Sequence, residues 1–235
     1  MPYPNRVLWF KYLIAPVLLF LLFAWIIEHT GLDLKLADFL FHLEGGIKGQ
    51  GWPLRDAFIT KNILHGVGHD LVVVIGVIAL VLAGLSWKLP VLKPYRHGLL
   101  YIVLCFAMST LIVGLLKSLT HVNCPWDLTR YGGSQPFVPT FSELPEGVKQ
   151  GRCFPGGHAS GGYGWVCLFF LAKMYRPRLR YVGFAAALVV GLTFDIDQQL
   201  RGAHFLSHGY WTLGISWMVA AVLYLGVFRK YAANE

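Results

Sequence analysis

The stretch Cys153-Phe154-Pro155-Gly156-Gly157-His158-Ala159-Ser160-Gly161-Gly162 brings small residues and one histidine to the start of an apolar segment. Adjacent glycines let successive backbone N–H groups point into one concavity, and a helix beginning there adds the positive end of its dipole. Gly156 and Gly157 therefore read as a cradle for an anion such as phosphate, with His158 at its rim as a proton donor. The plainer reading is a glycine-rich turn entering a membrane helix, its glycines serving close packing. A second polar cluster runs from Phe194 through Asp195, Asp197, Gln198, Gln199, Arg201 and His204 to His208, between two apolar runs. If helical, its four-three-four spacing places Asp197, Arg201, His204 and His208 on one face. A carboxylate, a guanidinium and two imidazoles gathered beside apolar spans point to function. Lys117 closes a third apolar run; snorkelling to headgroups competes there with a role in a site.

The elements that must position these groups are membrane helices. With 235 residues, 56% hydrophobic content, a mean hydropathy of +0.55 and only 14% charged residues, the sequence predicts one integral membrane domain over 1–235. The formal charge of +8 does not indicate nucleic acid, because the basic residues are scattered between apolar runs. The first run, Tyr12 to Ile27, is followed by Glu28-His29 without a small-residue cleavage site, and reads as a span rather than a cleavable signal. Five more runs, 69–87, 98–116, 160–174, 181–196 and 209–228, come near the roughly 20 residues that cross a bilayer. Six spans put both termini on one side. Arg6, Lys11, Lys88, Lys93, Arg96, Lys173, Arg176, Arg178, Arg180, Arg229 and Lys230 fall on that side, and every acidic residue except Glu235 falls on the other. The positive-inside rule then places both termini in the cytoplasm and the glycine-rich stretch outside.

Residues 28–68 predict an amphipathic helix at the interface, broken by Gly45-Gly46, Gly49, Gly51 and Pro53 before a second short stretch through His65. His65 and His69 are expected to be interfacial residues without chemistry. The loop 118–157 carries Cys124-Pro125-Trp126-Asp127, Tyr131-Gly132-Gly133 and four prolines, and its length suits an ordered functional lid. Cys105 and Cys167 fall inside spans as small core residues. Cys124 and Cys153 share the outer loop, where an oxidising compartment lets them pair as a disulfide closing a 29-residue separation; a zinc pair is the alternative, without close ligand spacing to support it.

These residues resemble the type 2 phosphatidic acid phosphatase superfamily, whose members have six spans and three motifs on the outer side. The first motif, Lys, six residues, Arg-Pro, corresponds to Lys117 and Cys124-Pro125. The second, Pro-Ser-Gly-His, corresponds to Pro155-Gly156-Gly157-His158. The third, Ser-Arg, five residues, His, three residues, Asp, is anchored on Gly202-Ala203-His204-Phe205-Leu206-Ser207. Cys124, Gly156, Gln198 and His208 depart from the family's arginine, serine, arginine and aspartate, and Arg201 lies three positions past the vacant arginine slot.

The resemblance implies an all-α, polytopic membrane phosphatase or phosphotransferase, with an extracytoplasmic site and a phosphorylated lipid as substrate. His204 is then the nucleophile that forms a phosphohistidine, and His158 the acid. Lys117, Arg201, Gly156 and Gly157 bind phosphate, while His208, Asp197 or Asp127 orients His204. No metal or cofactor is expected, the bilayer and its lipid are the partners, and a bacterial inner membrane is the expected location. Two other readings stay open: a degenerate relative that binds or transports lipid, and a metal-dependent hydrolase using His204, His208 and Asp197. Neither the particular lipid nor the oligomeric state follows from the sequence.

Overall fold

Long apolar runs dictate the architecture, since a backbone in hydrocarbon must satisfy its own hydrogen bonds. A computed structural model describes residues 5–232, which form helices and loops without a strand. The helices are α1 (Asn5–Thr30), α2 (Leu32–Leu43), α3 (Ile59–Leu85), α4 (Arg96–Leu119, entered by a 3-10 turn from Pro90), α5 (Gly157–Tyr163), α6 (Cys167–Tyr175), α7 (Arg180–Leu200) and α8 (Leu206–Leu223, continued by tighter and wider turns to Tyr231). Among the described residues five helical stretches, those of α1, α3, α4, α7 and α8, are long and apolar enough to cross a membrane. Leu18, Leu22, Val74, Val81 and Leu111 are each more than half exposed on them, a pattern suited to hydrocarbon rather than water. This is a multi-pass membrane protein.

The sixth run expected to span, 160–174, is divided. Helix α5 passes through a 3-10 turn at Gly164–Val166 into α6. Glycines at 161, 162 and 164 weaken helix formation there. Val166, Cys167 and Phe170 are fully buried, so this segment lies inside the bundle rather than on its rim. Helix α3 also departs from expectation: it starts at Ile59, ten residues before the anticipated 69, with a π-helical opening over Ile59–Val67. The short stretch containing His65 is thus the first part of a membrane-length helix.

One end of the bundle is closed by an aromatic core of Tyr12, Tyr101, Phe170, Tyr224 and Phe228. The hydroxyl of Tyr101 donates to the Ala220 carbonyl at 2.9 Å, joining α4 to α8. Near this end an apolar groove of about 560 Å³ opens between Leu82, Leu99, Leu171 and Val182. At the other end, α2 and the loops fold over the helices. The buried face of α2, through Ala37 and Phe41, packs with Trp52, Leu128, Tyr131 and Phe205, and Arg130 Nε donates to Asp38 at 2.6 Å.

The contact that aligns the two sequence clusters is glycine on glycine. Were Gly162 of α5 given a Cβ, that atom would stand 2.6 Å from Gly191 Cα of α7. Small residues let two membrane helices approach this closely, and nothing larger fits while the backbones hold their places. The N-terminus of α5, with His158, is thereby held against the C-terminal end of α7. Gly162→Ala should accordingly lower the thermal midpoint of the detergent-solubilised protein. Gly76→Ala, where an added Cβ meets nothing within 4 Å, should leave it unchanged or raise it slightly. Equal midpoints for the two variants would show that the close approach is dispensable.

Candidate active site

The chain reverses between α7 and α8, and that reversal builds the site. Gly202 has φ +66°, a backbone conformation that a side chain disfavours, and Ala203 N–H and Gly202 N–H donate back to the carbonyls of Gln198 and Gln199 at 2.9 and 3.0 Å. Trp52 Nε1 donates to the Leu200 carbonyl at 2.7 Å and Trp126 N–H to the Gly202 carbonyl at 2.9 Å, so two separate loops hold the turn. The continuous helical face expected for Asp197, Arg201, His204 and His208 therefore does not exist. Glycine ends the helix, and His204 falls in the break. Helix α8 restarts at Leu206, its Ser207 N–H accepted by Asp33 Oδ1 of α2 at 2.8 Å.

Folding back over the first turn of α8 brings the two imidazoles together. His204 Nδ1 and His208 Nδ1 lie 3.0 Å apart, with His204 7% exposed and His208 fully buried. Only one of the two nitrogens can carry the shared hydrogen. With His204 donating, its Nε2 keeps a lone pair, and the Nε2 of His208, buried without a partner, carries the second ring's hydrogen. Burial, followed by the neighbouring His208 and Lys117, holds the His204 imidazole well below its ordinary range. It stays neutral, the form that can attack.

Lys117 ends α4 half-buried, its Nζ 3.2 Å from where a Cβ on Gly157 would sit. Three side-chain ion pairs occur among the described residues, Lys61–Asp56, His69–Asp70 and Arg130–Asp38, and neither Lys117 nor Arg201 belongs to one. Arg201 is held by its Nε, which donates to the Arg55 carbonyl at 3.1 Å. Gly157 opens α5 beside the lysine, as the cradle requires, but Gly156 differs from expectation: its N–H donates to the His208 carbonyl at 3.0 Å, which engages the first amide of the cradle. His158 makes tilted ring contacts with Phe194 and His65, with ring centroids 4.5 and 4.4 Å away. The early start of α3 places His65, half-buried, against the His158 ring rather than at the free surface. His69 does remain on the exposed surface next to Asp70.

Neither aspartate considered as a partner for His204 is hydrogen-bonded to it. Asp197 Oδ2 accepts from Gln198 Nε2 at 2.7 Å, and Asp127 Oδ2 accepts the Cys124 N–H at 3.3 Å. The metal centre of His204, His208 and Asp197 is likewise not assembled; among the described residues Asp197 groups with His65 and His158 instead. Cys124 and Cys153 form a disulfide. By chain-entropy arithmetic, closing 29 residues contributes roughly 3–4 kcal/mol. The bridge joins the first motif to the second, and Cys153 N–H, bonded to the Val122 carbonyl at 3.0 Å, fixes the strap locally. Cys105 and Cys167 are free and buried. Phe154 stands edge-on to His208 with ring centroids at 5.5 Å, and Phe141, 67% exposed, continues this aromatic path to the surface.

The fold and this polar pocket define a multi-pass membrane protein with a buried histidine pair and unpaired cations at one end of its bundle. Residues 98–232 match the PAP2 superfamily, more than half of the chain and all three motif positions. The chain therefore belongs to the PAP2 superfamily, a membership that points to a phosphatase. No curated protein and no solved structure matches it. Asp33, Trp52 and His65 fall outside the matched region, and a motif search centred on 117–208 passes over them.

Asp33 provides a test of how the site is held. Burial raises its pKa from 3.8 to about 6, with the Ser207 hydrogen bond opposing. The sign follows: below about pH 4 the group is protonated folded or unfolded, and as pH rises to about 6 the unfolded chain ionises first, so stability falls across that window. Asp33→Asn keeps an acceptor for Ser207 without the charge. Its advantage in melting temperature over the wild type should grow between about pH 4 and 6 and then level off. Asp33→Ala, which orphans the Ser207 N–H, should lose roughly 1 kcal/mol relative to Asp33→Asn. An advantage for Asn that shrinks with rising pH would contradict this account.

Proposed function

We propose that the protein hydrolyses a phosphorylated lipid at the extracytoplasmic surface of the membrane, through a phosphohistidine on His204. The observation that carries this reading is the 3.0 Å His204–His208 contact beside Lys117, an ammonium without a carboxylate partner among the described residues. A half-buried cation lacking an anion is costly unless a ligand supplies the anion, and a phosphate does. Lys117 and Arg201 bind nonbridging oxygens, and the Gly157 end of α5 faces the same charge. His204 Nε2 attacks phosphorus while His208 accepts the hydrogen of His204 Nδ1 and fixes the ring, the task of the aspartate at that position in the family. As the N–P bond forms and the P–O bond breaks, His158 gives its proton to the departing oxygen. Water then cleaves the N–P bond, releasing phosphate and returning His204.

A lipid suits the surroundings better than a soluble ester. Phe137 and Phe141 are 41% and 67% exposed, and an aromatic path leads from Phe141 through Phe154 to His208. Such a rim meets the apolar part of an amphiphile at the headgroup level. In this arrangement α5 and α6 together serve as the sixth span and both termini are cytoplasmic, in keeping with the basic residues at 88–96, 173–180 and 229–230.

The deciding measurement is phosphate release from a panel of lipid phosphates by protein in detergent or vesicles, together with trapping by labelled substrate. His204→Ala should abolish turnover and labelling, and the label on the wild type should be acid-labile. His158→Ala should lose most activity on an alkyl phosphate and much less on an activated aryl phosphate, whose leaving group needs little protonation. His208→Asp should retain more activity than His208→Ala. Substantial turnover by His204→Ala, or label on another residue, overturns the assignment; lipid binding without phosphate release by the wild type would identify a degenerate binding protein instead. Arg201→Lys separates phosphate recognition from simple charge. A planar fork that engages two oxygens is not replaced by an ammonium, so kcat/KM should fall at least about tenfold. Normal kinetics in this variant would remove Arg201 from the phosphate site.

A further inference from the structure

His65, His158 and Asp197 come from three different helices, α3, α5 and α7, and each offers one ligand atom within 4.8 Å of the others. Two of those side chains carry polar atoms that the fold leaves unanswered. Asp197 is 1% exposed, and its Oδ1 is buried without a hydrogen-bond partner while Oδ2 is held by Gln198. His158 Nε2 is also buried without a partner, and the ring hydrogen-bonds the Leu64 backbone through its other nitrogen. An imidazole braced by a backbone carbonyl with its second nitrogen open is the usual posture of a metal-ligating histidine. His65 Nδ1 has only a long contact, 3.3 Å to Gln198 Nε2, to give up.

We propose that His65, His158 and Asp197 bind a divalent transition metal of the Zn²⁺ class, and that occupancy switches the phosphatase off by capturing the nitrogen that carries the acid's proton. The inhibitory half rests on the catalytic reading above; the binding half does not. Two imidazoles and one carboxylate suit zinc, copper or nickel, whereas magnesium and calcium demand more oxygen ligands. Ligands at about 2.0–2.1 Å in a tetrahedron stand roughly 3.4 Å apart, so the donors must draw in by about 1 Å or so. The ion takes the lone pair of neutral His158 Nε2, any proton there passes to solvent, and the fourth position stays open to water. While it is bound, no imidazolium is available to protonate a leaving oxygen. The site differs from the centre that activates a metallohydrolase, because its ligands exclude His204 and include the proposed acid. Of the three ligands, only His65, on α3, lies outside the region matched to the PAP2 superfamily.

The test uses the full-length protein in detergent, freed of metal by chelator and titrated with buffered Zn²⁺. Zinc should bind at one equivalent and raise the melting temperature. His65→Ala and Asp197→Asn should each weaken that binding at least about tenfold, while His69→Ala, which alters a surface histidine, should leave it intact. Mg²⁺ should have no effect. In the activity arm, zinc should inhibit the wild type over the concentration range in which it binds, and His65→Ala, measured relative to its own metal-free turnover, should resist inhibition. A melting curve with metal-free His65→Ala identifies a folding failure, in which case Asp197→Asn decides the binding arm. Absence of stoichiometric zinc binding, or binding unaltered in both variants, overturns the site. Binding that is lost in His65→Ala while zinc inhibition persists overturns the switch. If the wild type hydrolyses no lipid phosphate, the catalytic reading fails, and the binding titration still decides whether the site exists.

Discussion

The reversal at Gly202 is the constraint on which the rest of this molecule turns. Two apolar helices must be joined within five residues, at a depth where stray backbone groups are not solvated cheaply. The solution is a left-handed glycine whose neighbours bond back to Gln198 and Gln199, capped by the Trp52 indole and the Trp126 amide. Because the turn is so tight, His204 lies over the first turn of α8 and meets His208. A looser connection would leave the same two residues four apart in sequence with nothing to bring Nδ1 to Nδ1.

Around that turn the protein organises burial against charge. Polar residues Asp195, Asp197, Gln198 and Gln199 are all buried at the end of α7, an arrangement tolerated only where partners are at hand. Tyr163 reaches Asp195 at 3.2 Å and Gln198 reaches Asp197 at 2.7 Å. Lys117 and Arg201 stand apart from this accounting, since no carboxylate pairs with either among the described residues. The loops add rigidity: the Cys124–Cys153 bridge and the Asp38–Arg130 pair tie the strap over the site to α2, and α2 in turn supplies Asp33 to the start of α8.

Much of this was legible along the chain. Apolar runs announce spans because hydrocarbon leaves a chain no other option, and the five long helices lie where such runs are found. The three motif positions could be located by spacing, and the disulfide by two cysteines sharing one loop. The sequence reading was less successful where an element's boundary depended on its neighbours. Helix α3 extends back to Ile59 because its polar first turns are packed against α7 rather than because they are apolar, and α5 breaks at Gly164 inside a bundle that buries it.

What the sequence by itself determined is therefore composition-driven: membrane residence, helical class, and which polar side chains lie at span ends. These follow from local properties, the hydropathy of a window and the type of a residue. Only tertiary structure decided which of those side chains meet. It paired His204 with His208 rather than with an aspartate, engaged the Gly156 amide with the His208 carbonyl, and carried His65 to His158. Each is a contact across helices or across a turn, and depends on where glycines such as Gly162 and Gly202 let backbones approach or reverse. No residue's neighbours in sequence encode that proximity; packing and chain direction do.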